Sequence, residues 1–449
     1  MAPRFGTDGV RGVANVEVTA EFAVVFARAV AAVLEPDAVV IGRDTRRSGP
    51  MLEAALAAGF SAAGIEVRLL GVCPTPAVAW GAAAGTGTTR RTVGVVVSAS
   101  HNPFEDNGLK VFAPGGRKLT DAEQAAVEAW LVAPPGPAAD DVPRGRGVGT
   151  IEADEDVVRG WSASVAASIE GRRLDGLTVI VDAGHGAAYR VAPDVLRGLG
   201  AEIVVLGAEP DGCNINDGRG STDTAALRDV VVATGADAGV AFDGDADRLV
   251  AVDADGREID GDQILAMCAI DRAGRGLLAD DTVVATVMAN LGLRLGMAAH
   301  GITVRETPVG DRYVLEELEA GGWTLGGEQS GHLVFRDLAT TGDGLLSAVQ
   351  VLDLLARSGR TLADLADAAM RRLPQVLRNV TVRRDAAAVV AAVEADVAAV
   401  AAGLGSAGRV LVRASGTEPV VRVMAEAPDE TTAAAAVASL VAAVERAAG

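Results

Sequence analysis

Short runs of β-branched residues, each closed by a glycine-rich or charged loop, alternate along most of this chain with longer stretches whose apolar positions recur at helical spacing. The pattern predicts a helix from Ala20 to Leu34, a strand from Ala38 to Ile41, a helix from Met51 to Ala63 and a strand from Glu66 to Leu70. A further strand, Val95-Val-Val, runs into Ser98-Ala-Ser-His-Asn-Pro. Strand and helix alternate at βαβ spacing, which argues for a parallel or mixed sheet covered by helices. Between Ala133 and Gly149 a stretch rich in Pro, Gly, Asp and Arg reads as a linker.

The same grammar then repeats. Strands are predicted at Thr178 to Val181, Ile203 to Leu206 and Ala238 to Phe242, with helices at Val191 to Gly198 and Asp223 to Thr234, and Asp253-Ala-Asp-Gly signals a hairpin. A third unit places strands at Thr282 to Val287, Ile302 to Arg305 and Trp323 to Leu325. After Leu373-Pro374 the pattern changes to a strand (Gln375 to Val382), one long Ala-rich helix (Ala386 to Ala402), strands at Gly408 to Arg413 and Val420 to Ala425, and a final helix. The expectation is α/β throughout: three similar α/β domains with mixed sheets plus a C-terminal α+β domain around a central cleft. The boundaries fall at 1–150, 151–255, 256–370 and 371–449.

Composition narrows what such a protein binds. Acidic residues outnumber Lys plus Arg by 60 to 40, a net charge of −20, so the overall field repels nucleic acid and anionic membranes and any positive charge that meets an anionic ligand must be local. No apolar run reaches membrane-spanning length, and no signal peptide follows Met1. Cys73, Cys213 and Cys268 are odd in number and in no metal-like spacing, which suits a reducing cytoplasm. Among the 40 basic residues only Lys110 and Lys118 are lysines, both just after the Ser100 stretch. A chain that otherwise uses Arg keeps Lys where a compact ammonium able to release a proton is useful.

Each unit ends a strand in a loop with chemistry. Ser100 stands at a strand tip, the edge of an α/β sheet where ligands bind, although Ser-His-Asn-Pro also reads as a plain turn. Asp243, Asp245 and Asp247 alternate, so in an extended segment they face one way. Three convergent carboxylates call for a cation, and oxygen ligands suit Mg²⁺ or Ca²⁺. An EF-hand is excluded, because Arg248 and Ala254 stand where that loop needs Gly and Glu. Glu328, Gln329 and Ser330, set between glycines, can hydrogen-bond the hydroxyls or amine of a sugar, and His332 follows them. His185 and His300 read as structural. Arg413-Ala-Ser-Gly-Thr-Glu-Pro, with Arg422 beyond it, has the make-up of a phosphate cradle, an Arg fork with hydroxyls and a glycine. The opening Arg4-Phe-Gly-Thr-Asp-Gly-Val-Arg-Gly brings Arg11 and pliable backbone within reach of an anion, or is a simple N-terminal turn.

Taken together, these four loops resemble the motifs of the α-D-phosphohexomutase superfamily, in the family's order and over nearly the whole length. Phe5-Gly-Thr-Asp-Gly-Val-Arg-Gly, Phe104-Glu-Asp-Asn-Gly-Leu-Lys110 and Gln329 are most similar to its bacterial glucosamine branch, while Leu109 and Val111 depart from the usual Ile and Phe. The resemblance implies reversible conversion of glucosamine 6-phosphate to glucosamine 1-phosphate, with Ser100 active as phosphoserine and a 1,6-bisphosphate intermediate. It implies Mg²⁺ held by Ser100 (through its phosphate), Asp243, Asp245 and Asp247, and a trace of glucosamine or glucose 1,6-bisphosphate as primer.

Of the site residues, the resemblance implies that Arg11 and Lys110 steady the transferring phosphoryl group, that Lys110 or His332 moves the hydroxyl proton, and that His101 and Arg248 belong with Ser100 to the catalytic set. Glu328, Gln329 and Ser330 would bind the sugar, and Arg413, Ser415, Gly416, Thr417 and Arg422 the other phosphate. The partner implied is a small phosphosugar rather than nucleic acid or membrane, in the cytoplasm, with a homodimer left open. The alternatives are the phosphomannomutase and phosphoglucomutase branch, a serine-dependent sugar phosphatase, which would release inorganic phosphate, and a non-catalytic sugar-phosphate sensor, which would bind without turnover.

Overall fold

The computed structural model describes residues 5–6, 9–84, 90–133, 142–415 and 419–449. These divide into two compact units, residues 1–288 with 304–367 and residues 289–303 with 368–449. Between them the units carry four sheets.

The first sheet is built from β1 (Phe5–Gly6), β2 (Gly9–Val13), β3 (Ala38–Arg43), β4 (Glu66–Val72), β5 (Thr92–Val97), β6 (Asp106–Ala113), β7 (Arg117–Lys118) and β8 (Ile151–Ala153). Its order is β1-β2-β6-β5-β3-β4-β8, with β7 beside β6. β3 runs parallel to both β4 and β5, and β6 turns back antiparallel to β5. Every residue of β5 is buried, the mark of a strand covered on both faces, which is why its sequence is a continuous apolar run rather than an alternation. One covering helix, Ala20–Leu34, starts where the Thr19 side chain accepts from the Phe22 backbone N–H. It buries Ala23, Phe26, Ala27, Val30 and Leu34, the three-and-four spacing of a single helix face.

The second sheet contains β9 (Thr178–Asp182), β10 (Glu202–Leu206), β11 (Ala238–Phe242), β12 (Leu249–Asp253) and β13 (Glu258–Ile259) in the order β10-β9-β11-β12-β13. β12 and β13 form the expected hairpin around Asp253, whose carboxylate accepts from the Asp255 and Arg257 N–H groups. The third sheet contains β14 (Thr282–Thr286), β15 (Thr303–Thr307), β16 (Leu325–Gly327) and β17 (Leu333–Phe335), in the order β15-β14-β16-β17. In each of these three sheets the second parallel-type strand is laid on one side of the first and the third on the other. Such a reversal opens a crevice at the carboxyl ends of the first and third strands. The crevices lie at β3/β5, β9/β11 and β14/β16, and the three candidate loops of this unit leave β5, β11 and β16.

The remaining unit holds the antiparallel sheet of β18 (Gln375–Thr381), β19 (Arg409–Ala414) and β20 (Val420–Glu426), ordered β18-β20-β19. The expected mixed sheets and C-terminal α+β domain are present. The long helix expected from Ala386 to Ala402 is instead two, Ala386–Ala392 and Glu394–Leu404, broken at Val393 and bent by 55°. Glu394 and Asp396 sit in the first turn of the second piece, where acids favour a helix start, while Val389 and Val393 stay in the core. The last helix, Glu430–Ala448, is long and apolar enough to cross a membrane by length and composition alone. Its Ala436, Val437, Leu440, Ala443 and Val444, however, are buried in the core of this unit.

Candidate active site

Ser100 occupies the crevice of the first sheet, three residues beyond β5. Its backbone is left-handed (φ 54°), a conformation that L-residues other than Gly, Asn and Asp seldom adopt and that costs energy unless the surroundings hold it. Its Oγ donates to Asp243 Oδ2 at 2.6 Å and lies 3.2 Å from His101 Nδ1. Arg11, on β2, flanks the same loop, with Nη1 3.4 Å from both the Ala99 carbonyl and Asn102 Oδ1.

Asp243, Asp245 and Asp247 leave β11 in the crevice of the second sheet. They do converge, one oxygen from each lying within 4.8 Å of the others, and all three are buried. The means differ from the expectation: the segment is a turn with Ala246 left-handed (φ 57°), and the Ala246 N–H donates back to the Asp243 carbonyl at 3.0 Å. A tight turn concentrates the carboxylates more than extended alternation does.

Buried charge of one sign must be balanced. Lys110, carried by β6 and 3% exposed, donates from Nζ to Asp245 Oδ2 at 2.7 Å and to Asp247 Oδ2 at 3.4 Å. Burial, and after it the Asp247 and Asp245 charges, push the Asp243 carboxyl well above the usual range. Burial would also raise Asp247, but Lys110, His332 and Arg248 hold it well below. Among the described residues, Asp245 Oδ1 and Asp247 Oδ1 are buried with no hydrogen-bond partner, and His332 Nδ1 stands 3.7 Å from the latter. Buried carboxylate oxygens left bare are costly, and an oxygen-seeking divalent cation is the group that satisfies them, so the donor set fits Mg²⁺ chemistry.

Two histidines border the cluster in opposite electrostatic settings. Burial, then the Arg248 and Arg11 charges, lower His101 to about 4, so it is neutral near pH 7. Burial alone would lower His332 as well, but Asp247 and Asp311 outweigh it and raise it. His332 Nδ1 stands 3.7 Å from Asp247 Oδ1 and its Nε2 3.7 Å from Asp311 Oδ2, and Asp311 is paired in turn with Lys118. Arg248 forms a β-bridge with His332 and donates its backbone N–H to Asp243 Oδ1 at 3.2 Å, which joins the β16 loop to the aspartate turn. Glu328, just past β16, accepts the Gly310 N–H at 3.1 Å and contributes to raising Arg248. Gln329 joins through its carbonyl, taking the Gly261 N–H at 3.1 Å, and Ser330 is exposed.

In the other unit Arg413 and Arg422 are direct cross-strand partners on β19 and β20. Like charges placed opposite one another are unfavourable without an anion between them. Burial and then the Arg422 charge lower Arg413 accordingly. Ser415 follows, its N–H donating to the Val420 carbonyl at 2.8 Å. Gly416 and Thr417, Thr7 and Asp8 of the opening loop, and 134–141 of the expected linker lie outside the described residues.

Several supporting groups belong to no motif. Thr75 Oγ1 donates to Asp245 Oδ2 at 2.5 Å and its N–H to the Asp245 carbonyl at 2.9 Å. Arg46, Asp44, Ser98 and Asn216 surround the backbone of Ser100. The signals available were Arg43-Asp-Thr-Arg46 at a strand end and Asn214-Ile-Asn216 in a loop, neither of which names a partner.

Four models of the phosphoglucomutase/phosphomannomutase family match in succession: alpha/beta/alpha domain I over residues 2–133, domain II over 160–256, domain III over 260–373 and the C-terminal domain over 377–444. The chain belongs to this family. Among its relatives is the phosphoglucosamine mutase of Acidothermus cellulolyticus, 54% identical over 95% of this chain and 92% of that one. That of Frankia alni is 52% identical over 96% of each. A solved phosphoglucomutase/phosphomannomutase family protein from Burkholderia thailandensis superposes with a TM-score of 0.82 at 27% identity, covering 98% of this chain and 97% of its own. The protein is thus an isomerase of the mutase type, with an acidic triad able to hold a metal.

Proposed function

We propose that this mutase interconverts glucosamine 6-phosphate and glucosamine 1-phosphate, with Ser100 as the phosphoryl carrier. The reading rests on the Ser100 hydroxyl, 2.6 Å from Asp243 on a strained backbone beside the carboxylate cluster, in a chain half identical to phosphoglucosamine mutases. In the working enzyme Ser100 is phosphorylated. The P–O bond to Ser100 breaks as a P–O bond to one sugar hydroxyl forms, and that hydroxyl gives up its proton. The resulting 1,6-bisphosphate turns over in the site, and its other phosphate returns to Ser100, which leaves the isomer. Added glucosamine or glucose 1,6-bisphosphate phosphorylates enzyme that has lost the group.

Positioning and charge neutralisation carry this kind of transfer. Mg²⁺, held by Asp243, Asp245, Asp247 and the Ser100 phosphate, supplies Lewis-acid neutralisation of the transferring group. Arg11, Arg248 and Lys110 bring positive charge to the loop and hold the cluster's geometry. Asp243 Oδ2, which accepts the Ser100 hydroxyl at 2.6 Å, receives the proton when Ser100 itself is the nucleophile, with the neutral His101 ring beside it at 3.2 Å from Oγ. His332 and Lys110 are the groups for the sugar hydroxyl's proton. Glu328, Gln329 and Ser330 bind the sugar, and Arg413, Ser415, Gly416, Thr417 and Arg422 hold the phosphate that is not reacting. The three free cysteines accord with a cytoplasmic location.

The test is kcat/KM for glucosamine 6-phosphate against glucose 6-phosphate and mannose 6-phosphate, with Mg²⁺ and a trace of bisphosphate. An advantage for the amine of about 10²-fold, roughly 2.7 kcal/mol of discrimination, together with no turnover by Ser100→Ala, is the expected result. Equal or better rates on glucose or mannose would move the protein to the other branch, and net release of inorganic phosphate would make it a phosphatase.

A further inference from the structure

The backbone of Ser100 is held from three directions. Arg46, with no exposed surface, donates from Nη2 to the Ser100 and Asn102 carbonyls, each at 2.8 Å. Its Nη1 donates to the Asp106 carbonyl at 3.0 Å and to that of Pro103, and its Nε to Asp44 Oδ2 at 2.8 Å. All five guanidinium N–H donors are therefore used, four of them on carbonyls of the single segment 100–106. Asp44 Oδ2 also accepts the Ser98 hydroxyl at 2.6 Å, and Ser98 Oγ accepts the Ser100 N–H at 2.9 Å. The third direction comes from the connection between β10 and β11. Asn216 Nδ2 donates to the Ser100 carbonyl at 3.0 Å and the Asn102 carbonyl at 3.2 Å, while its own N–H is anchored on the Gly184 carbonyl at 2.8 Å.

A buried guanidinium must satisfy all five of its N–H donors, of which Asp44 takes only one, and a buried ion pair is by itself poor value for stability; what distinguishes Arg46 is that its other four donors all go to one short segment. Here the guanidinium fork instead fixes the path of a loop whose central residue is in a disfavoured conformation. Gly244 marks how closely the second sheet is fitted to it: a Cβ there would lie 2.4 Å from the Ser100 carbonyl oxygen. The carbonyl of Ser100 is thus gripped by Arg46, just past β3, and by Asn216, in the segment between β10 and β11, and its Oγ faces Asp243, just past β11.

We propose that Asp44, Arg46 and Asn216 form a clamp of positioning residues that holds Ser100 in its left-handed conformation and registers its hydroxyl on the aspartate turn. The clamp touches neither sugar nor phosphate. It acts through the angle at which Ser100 presents its phosphoryl group, so its loss lowers the transfer rate and leaves the binding of hexose phosphate intact. The role rests on Ser100 being the phosphoryl carrier.

Three substitutions separate the clamp from general folding. Asn216 is left-handed (φ 61°), so Asn216→Gly keeps the backbone and removes the amide, and Asn216→Asp keeps the shape but turns a donor into a carboxylate facing two carbonyls. Arg46→Lys keeps the charge but loses the fork. Each variant is purified with Mg²⁺, its melting temperature recorded, its kcat and KM measured with bisphosphate primer, and its crystal structure solved. The expected result is a folded protein with KM unchanged and kcat lower by about 10²-fold, the scale of an ångström misplacement of a reacting group. Asn216→Asp should be worse than Asn216→Gly, and Ser100 should leave the left-handed region with its Oγ off Asp243. Variants that fold, keep Ser100 left-handed on Asp243 and turn over at the parental kcat overturn the clamp. If the parent protein shows no mutase turnover on any hexose phosphate, the proposed function fails. The Ser100 conformation in the variant structures still decides the clamp.

Discussion

Asp343 supports the site without belonging to any motif. Its Oδ1 accepts the Leu346 N–H at 2.9 Å, capping the helix Gly344–Ser358, and its Oδ2 accepts Trp161 Nε1–H at 2.8 Å. Burial pushes its carboxyl from the ordinary 3.8 to about 6, against the pull of those hydrogen bonds. Below about pH 4 the group is protonated folded or unfolded and has no effect on the balance. Between about pH 4 and pH 6 the unfolded chain ionises while the folded one keeps its proton, so folding loses ground as pH rises, by at most about 3 kcal/mol. Asp343→Asn forfeits one acceptor, a pH-independent cost of about 1 kcal/mol, but escapes that penalty. The variant's stability relative to the parent, from urea midpoints, should therefore climb between pH 4 and pH 6 and level off above. A difference that stays flat over that range refutes the buried ionisation.

Residues such as this were invisible in the sequence for a definite reason. Ser100 and the three aspartates are legible because each sits in a compact motif. Arg46 meets Ser100 across 54 positions, Asn216 across 116, and Thr75 meets Asp245 across 170, so no local pattern names their partners.

Among the elements, the helix Gly344–Ser358 backs the aspartate turn. Every residue from Gly344 to Leu355 is buried, and the Gly344 N–H donates to the Ala246 carbonyl at 3.0 Å. A Cβ on Gly344 would lie 2.4 Å from the Arg248 carbonyl oxygen and 2.9 Å from that of Ala246, both backbone atoms that cannot step aside singly. Gly344→Ala must therefore push the helix away from the turn or distort the turn itself. We expect about 1–3 kcal/mol of lost stability, with weaker Mg²⁺ affinity and lower kcat in the protein that remains folded. Parental Mg²⁺ affinity and kcat would show that the helix start does not set the turn. Strand ends and their loops were readable from apolar runs and their stops. Periodicity left several helices unassigned, among them Thr75–Ala84, Gly261–Gly274 and Gly344–Ser358, and missed details set by packing such as the break at Val393, the tight aspartate turn and the buried strand β6 that delivers Lys110, masked by its Asn-Gly pair.

At the scale of the whole molecule, one compact unit takes in residues 289–303 together with 368–449. The third family model ends at residue 373 and the sequence pattern places a boundary at 370/371, yet the helix Leu291–Ala299 clusters with the C-terminal sheet. The contacts explain why. The Leu291 N–H donates to Glu426 Oε2 at 2.7 Å, Asn290 exchanges hydrogen bonds with the Leu373 backbone at 3.0 and 2.9 Å, and Arg409 Nε reaches the same Glu426 at 2.8 Å. Gly292 and Gly296 pass so close to residues 369–371 that a Cβ on either would overlap their carbonyl oxygens. Removing 371–449 takes away the Glu426 acceptor of the Leu291 N–H and the Leu373 backbone partner of Asn290, buried hydrogen bonds whose loss costs about 1–3 kcal/mol each. A chain ending at residue 370 should therefore melt well below the full protein and expose apolar surface to a dye such as ANS. If the fourth domain were an independent module, that shortened chain would melt where the first unit does in the full protein and leave the dye dark. That outcome would support the boundary read from the sequence at 370/371.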